Sequence, residues 1–316
     1  MALPTTSVSY RIRRRLGITE VRREKMSLAS RRLSEITWAV MKHRMGGPGV
    51  AILAFFIGMA LAAPFLTSLG IIADPEARVG SITEPSSWAH PFGTDHNGKD
   101  ILARVIHGSR ISLLVGLLAS VIASILGTIV GLVSGFYGRW VDESLMRVND
   151  ILLSLPWLAL LIVLAAVLGG QLTLGIIIVA IGLTSWNFTA RVVRAQVLSV
   201  KERAFIERAK AAGAGDIAIL RKHIFPNVFP LVFANTILTV AVAILSESSL
   251  AFLGRVDPRS LSWGVILFEA EQAGATLNGW WSWIVMPGLA LVFVILGFSL
   301  LGYALDEVLN PRLRER

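Results

Sequence analysis

Cysteine is absent from the 316 residues, so disulfides, thiolate metal sites and cysteine nucleophiles are excluded. Charge is scarce as well: Asp, Glu, Lys and Arg make up 16% of the chain, where a soluble domain carries about 25%. The five histidines (His43, His90, His96, His107 and His223) fall outside the long apolar runs, and no pair has helical ligand spacing beside a carboxylate. That argues against a metal centre. No serine in an apolar run has a His or Lys counterpart in another, so an intramembrane hydrolase would lack its nucleophile and base. Ionisable chains through the apolar runs, which a proton pump needs, are missing too.

What is present is apolar surface in long blocks, 54% of the residues being hydrophobic. A membrane span needs about 20 apolar residues, because 1.5 Å of rise per residue must cover about 30 Å of hydrocarbon. Six stretches qualify: Pro48–Ser68, Ile111–Gly135, Ile151–Gly169, Leu172–Ala190, Phe229–Leu253 and Ser282–Leu305. Only Gly169-Gly170-Gln171 separates the third from the fourth, and a glycine pair there predicts a tight hairpin. The expected fold class is all-α, a polytopic membrane protein with about six transmembrane helices. Pro64 and Pro156 are expected to kink or end their helices.

Net charge is +9, and its placement points to a membrane rather than to nucleic acid. With six spans, 11 Lys/Arg lie in residues 1–47, 2 in 137–149, 8 in 191–228 and 3 beyond 305, so 24 share one side with the termini. Five lie on the other side, and Arg110 sits at a helix edge. The positive-inside bias therefore puts both termini in the cytoplasm. The Arg-rich start has no early apolar core, so no cleavable signal peptide is expected. Residues 1–47 read as a basic cytoplasmic tail, disordered over 1–26. Residues 27–45 mix Leu28, Leu33, Ile36, Trp38, Val40 and Met41 with Arg31, Arg32, Lys42 and Arg44. Two readings stand for them: a basic amphipathic helix on the membrane face, or a solvated lead-in to the first span. Residues 48–316 are expected to form the transmembrane domain.

Inside the spans, Gly127, Gly131 and Gly135 share one helix face and mark a close helix–helix approach, although glycine is common in membrane helices anyway. Glu247 is the one carboxylate well inside an apolar run, and burying it in lipid would cost about 3 kcal/mol. It is either a residue of a translocation path, with Ser246 and Asn187 as further polar candidates, or a near-interface carboxylate satisfied by its serine neighbours. Gly93-Thr-Asp-His-Asn-Gly98-Lys99-Asp100 nearly matches a phosphate-binding loop. Asp100 replaces the Mg²⁺-binding hydroxyl and no buried strand precedes it, so ATP binding by this chain is rejected.

The most informative stretch is Glu207–Pro226, inside a polar loop of about forty residues, 191–230, between two apolar runs. A simple turn would need only a few polar residues. Here a helix-prone segment, Glu207, Arg208, Ala209, Lys210, Ala211 and Ala212, meets a glycine break at Gly213, with Asp216 placed to cap a second helix and Pro226 to stop it. Such a loop is a surface for another protein to grip.

At that loop the chain resembles the permeases of ATP-binding-cassette importers. Glu207, Ala209, Gly213 and Pro226 fit the family's pattern, with Arg208 standing for the usual alanine and Phe225 for leucine. Further stretches are similar to the C-type subunit of oligopeptide, dipeptide and nickel permeases. These are His90–Asp100, His107–Ser112, Glu247–Gly254, Ser262-Trp263-Gly264, Trp280-Trp281, Pro287-Gly288 and Asn310–Leu313. Tyr303 and Asn310 depart from that branch, where acidic residues are common. The resemblance covers about residues 30–316 and implies a type I importer permease fold in a bacterial inner membrane. It implies a loop helix over Arg203–Ala212 in contact with an ATPase. It further implies a second permease subunit, two ATPase subunits that carry ATP and Mg²⁺, an external substrate-binding protein, and no cofactor on this chain. Asp95, His96, Asp100 and Trp263 on the outer loops are the expected contacts of the binding protein. The tryptophans there (Trp88, Trp263, Trp280 and Trp281) could equally anchor at the interface, as expected for the last pair. A self-sufficient channel or secondary transporter, a membrane enzyme and a scaffold for a cytoplasmic partner are the rival readings. The first two lack visible coupling residues or a catalytic pair.

Overall fold

The computed structural model describes residues 34–309, which are mostly helical with no strand beyond isolated bridges. The tail over 1–33 and the Asn310–Leu313 motif lie outside the described residues. A helix over 34–42 (α1) leads into α2 (Gly46–Ser68), α3 (Ile101–Tyr137), α4 (Arg139–Ser154) and α5 (Trp157–Val167). α6 (Leu174–Thr184), α7 (Asn187–Lys201) and the short α8 (Ala204–Ala211) follow. Then α9 (Asp216–Ile219) passes through a π-helical turn, Leu220–Ile224, into α10 (Phe225–Phe252). α11 (Trp263–Gln272), α12 (Ala275–Asn278) and α13 (Trp281–Leu309) complete the chain.

Five stretches are long and apolar enough to cross a membrane: α2, α3, α6–α7, α9–α10 and α13. The sixth expected span is different. Ser154 ends α4, Pro156 is the cap before α5, and the two helices meet at 88°. Proline cannot donate to the helix ladder, so the chain turns where the sequence predicts a kink. α5 alone has 11 residues, about 16 Å of helix, roughly half the hydrocarbon thickness. Pro64 does not end its helix, since α2 runs on past it to Ser68.

The glycine hairpin forms as expected. Gly169 and Gly170 have φ of +111° and +90°, and the Gly170 N–H closes onto Ala165 O at 2.8 Å. Its far end, Leu172, pairs with the strand-like segment after α10, donating to Arg255 O at 2.9 Å and accepting from Asp257 N at 3.1 Å. α3 begins ten residues before the apolar run, at Ile101, and is 37 residues long. The hydropathy of 101–110 conceals a helix because Arg104, His107 and Arg110 sit on it, and the folded loop over 69–100 wraps that extra length.

The glycine face of α3 packs on α7. A Cβ on Gly127 would lie 2.6 Å from Thr189 Cβ, on Gly131 2.7 Å from both Ala190 O and Val193 Cβ, and on Gly135 2.8 Å from Val197 Cβ. Two side-chain bonds tie α10 to this pair: Asn235 Nδ2 donates to Thr189 Oγ1 of α7 at 2.7 Å, and Thr236 Oγ1 donates to Ser124 Oγ of α3 at 2.8 Å. In lipid, where apolar packing offers no hydrophobic gain, close contact and such bonds hold helices together. α4 is strapped along α7 by charge, since Arg194 takes Asp142 in a bidentate pair at 2.5 and 2.6 Å and Arg191 meets Asp150 at 2.5 Å. α1 is seated too: Val40 packs among Ala234, Ala304 and Leu305, and His43 Nε2 meets Glu307 at 3.0 Å.

Gly131→Val should destabilise the purified chain in detergent by about 1–3 kcal/mol, the cost of an overpacked contact, and so lower its unfolding midpoint. An unchanged midpoint would mean that α3 and α7 do not need their close approach.

Candidate functional site: an exposed loop helix on an apolar socket

α8 starts at Arg203, whose backbone is extended (φ −80°, ψ 142°), and ends with Ala212 as its cap. These bounds are within a residue or two of the expected helix. Glu207 lies in the first turn and Arg208 and Lys210 in the last, signs that suit the helix macrodipole. Gly213 has φ +80° and donates to Lys210 O at 2.9 Å, while Ala214 donates to Ala209 O at 3.0 Å. This pair of bonds is a Schellman ending, which needs a left-handed residue after the cap.

Glu207, Arg208, Lys210, Ala211, Ala212, Gly213, Asp216 and Pro226 are exposed, and Ala209 is half-buried. Beneath them Ile206, Ile219, Ile224 and Val228 are fully buried. They join Val193, Val197 and Val200 of α7 and Val232 of α10, with Leu132 and Phe136 of α3 alongside. Lys201 Nζ also donates to Gly135 O at 3.0 Å, closing the end of α3. The charged helix thus rests on an apolar socket shared by three spans. Sequence reading found the helix but not the socket, whose signal was the isoleucine and valine spacing under the charges.

Two expectations about this loop are corrected. Asp216 does not cap the second helix: Gly215 is the cap and Asp216 the first helical residue, where its charge still favours the N-terminus. Pro226 does not stop a helix either. The segment 216–252 is continuous, because the π turn at Leu220–Ile224 shifts the hydrogen-bond register just before the proline, and Phe225 N donates to Leu220 O.

At the opposite end the outer-loop residues come together as a closed cap. Asp95 is fully buried, its Oδ2 meets Arg104 Nη1 at 2.7 Å, and its Oδ1 accepts from Asn97 N and Lys99 N at 2.7 and 2.9 Å. Arg104 also meets Glu269 of α11 at 2.5 Å. Asp100 caps α3 through Ala103 N at 2.9 Å and holds His90 Nδ1 at 2.8 Å. The motif that imitates a phosphate loop is therefore a turn that starts a helix. Trp263 is fully buried, donating through Nε1 to Val105 O at 2.8 Å, and Gly264 lets α11 press against Ser248. Asp95, Asp100 and Trp263 are thus committed inside the chain, and the expected contact of these three with an external protein gives way to a structural role. His96 is half-exposed and stacks on Trp283 with centroids 5.3 Å apart. Beyond the cap, Arg259 in the loop after α10 holds the Asp257 carboxyl below its usual range by hydrogen bonding.

Glu247 is 1% exposed, accepts from Ser248 Oγ at 3.2 Å, and leaves Oε1 without a partner. Ser262, at the start of α11, faces it. Ser246 bonds back to Val242 O at 2.7 Å. Asn187 is buried at the α6–α7 break, where its Nδ2 donates to Thr184 O at 3.4 Å. These three residues are not one cluster. A separate cavity of about 510 Å³ opens between α7, α10 and α13, where Asn235, Ser299, Tyr303 and Asp306 interrupt an apolar wall. Sequence reading missed it because its polar groups are spread over two helices far apart in the chain.

Residues 123–315 match the family described as the binding-protein-dependent transport system inner membrane component. The chain belongs to this family. The chain is 35% identical over 277 residues to the dipeptide transport system permease protein DppC of Bacillus subtilis, covering 86% of this chain and 83% of that one. It is 34% identical over 279 residues to a putative peptide transport system permease protein of Brucella abortus, with 87% and 90% covered. Among solved structures, an inward-facing form of the MetNI methionine ABC transporter aligns with TM-score 0.52 at 20% identity, covering 67% of this chain and 97% of that one. This likeness shows the type I permease fold. The chain is therefore a multi-pass permease component of an ABC importer in the inner membrane.

Asp95→Asn should loosen the cap, since breaking a buried ion pair typically costs about 3–5 kcal/mol. Limited proteolysis should then cut within 69–100 faster than in the unaltered chain. Equal cutting rates would show that the Arg104 cluster does not hold the cap.

Proposed function

We propose that this chain carries short peptides across the membrane as one half of a permease pair, driven through α8 by ATPase subunits and supplied by an external binding protein. The observation that carries this reading is the seating of α8. Its exposed face is charged and free, while Ile206 is locked into a core shared by α3, α7 and α10. A push on such a helix moves three spans together instead of bending a loop. The names of the relatives support peptide cargo. The 24-to-5 distribution of Lys/Arg supports a cytoplasmic α8 and cytoplasmic termini. The polar groups of the cavity between α7, α10 and α13 support a solute path along that side, with the second permease closing it.

The absence of cysteine makes the sidedness directly testable. A single Ala211→Cys variant in spheroplasts should react with a membrane-impermeant maleimide only after lysis; labelling of intact spheroplasts would place α8 outside, where no ATPase could reach it.

Glu207→Lys should reduce recovery of ATPase subunits with the tagged permease several-fold, and unchanged stoichiometry would remove Glu207 from the interface. Gly213→Val meets no atom within 4 Å, so its effect is conformational. Forcing a branched residue into the left-handed region costs about 1–2 kcal/mol and tilts α8 against its socket. Peptide uptake should fall while membrane insertion persists; normal uptake would argue against a rigid lever.

A further inference from the structure

A cavity of about 660 Å³ lies where α2, α3 and α13 meet the segment after α10. Its walls are apolar, with Ile57 and Leu61 from α2, Leu114 and Leu117 from α3, and Phe298 from α13. Its rim is basic, formed by Arg110 and Arg259 with His107. Arg110 is the last residue before the apolar run of α3 begins, so it stands at the boundary between hydrocarbon and headgroups. From Arg110 to Leu117 the helix descends about 11 Å, most of the depth of one leaflet.

The charges at the rim are not equivalent. Arg259 is already engaged, reaching Asp257 through Nε at 3.1 and 3.2 Å and through Nη2 at 2.9 Å. It keeps further N–H donors at Nη1. His107 Nε2 is tied to Thr67 Oγ1 at 2.8 Å, and the charges of Arg110 and, less strongly, Asp74 act on it. Arg110 is exposed and makes no ion pair among the described residues. An unpaired cation thus sits over a slot built for a hydrocarbon chain, with a second arginine offering donors beside it.

We propose that this slot binds an anionic phospholipid of the leaflet on the 69–100 side, its phosphate at Arg110 and Arg259 and one acyl chain between α2, α3 and α13. Charge complementarity selects the occupant. A zwitterionic lipid would bring its own cation to a rim that already carries one, whereas a headgroup with a single negative charge neutralises Arg110. Guanidinium groups suit phosphate because several donors can meet its oxygens at once. The slot requires only that these helices span a membrane; it depends neither on the cargo nor on the coupling proposed for α8. Its occupancy would tie α2 to α3 and α13 at the end of the bundle where the cap is built.

The test uses the full-length chain with its co-purifying subunits in nanodiscs of phosphatidylcholine, with and without phosphatidylglycerol, read by native mass spectrometry after release into detergent. The expected result is retention of one phosphatidylglycerol per chain and no retained phosphatidylcholine. Arg110→Gln should lose that lipid, Arg110→Lys should keep it, and Leu114→Trp, which fills the slot, should lose it. Equal retention of the two lipids, or undiminished phosphatidylglycerol on Arg110→Gln, overturns the proposal. So does displacement by inorganic phosphate at the concentration of the lipid, which would mark a free-anion site. Photo-crosslinking from position 117 to a second membrane chain rather than to lipid would show the slot to be a subunit interface and would overturn it too.

Discussion

The close approach of α3 and α7 is the contact on which the rest of this chain depends. It is the most extensive helix–helix contact in the bundle. It exists because Gly127, Gly131 and Gly135 present no side chain where Thr189, Ala190, Val193 and Val197 must fit. In water, apolar residues of any shape would drive two helices together. In hydrocarbon they gain nothing by leaving lipid, so shape alone decides which faces meet. Once α7 lies along α3, Val193, Val197 and Val200 point into the socket beneath α8, and Arg191 and Arg194 face the carboxylates of α4. The seat of α8 and the strap of α4 are both consequences of three missing side chains.

A second constraint explains where the helices break. A backbone group within hydrocarbon has no water to bond, so every interruption must be repaired inside the protein. The glycine hairpin after α5 closes on Ala165 and is braced by the Leu172 pairing with the segment after α10. The π turn before Pro226 absorbs a residue that cannot donate, without leaving the helix. The bend at Pro156 comes just after α4, which is tied to α7 by the Asp142 and Asp150 salt bridges.

Much of this was legible in the sequence because the membrane makes hydropathy a direct readout of position. Five of the six spans, the glycine hairpin, the bend at Pro156, the glycine face of α3 and the extent of α8 all follow from local rules of length, proline geometry and side-chain size. The illegible parts depend on partners distant in the chain. Asp95 and Asp100 look like surface carboxylates until Arg104 and the first turn of α3 arrive to bury them. Trp263 looks like an interfacial anchor, yet Val105 and Ser112 on another helix supply its partners. Pro226 reads as a stop because the proline rule is local, whereas the register shift that accommodates it begins at Leu220. Ten residues of α3 were hidden because polar side chains on a helix lower its hydropathy whether or not they are paired.

The two ends of the bundle are held by opposite physics. At the cap, a buried arginine is fixed between Asp95 and Glu269, and such a pair tolerates little displacement, since any gap leaves charge unpaired at low dielectric. At α8 the anchorage is apolar, and its contacts are non-directional, so the helix can shift with its three spans without breaking any single bond. Charges there are exposed and uncommitted, free for another protein to engage. One end of the bundle is thus held by buried ion pairs and the other by apolar contacts, the arrangement that the coupling proposed for α8 calls for.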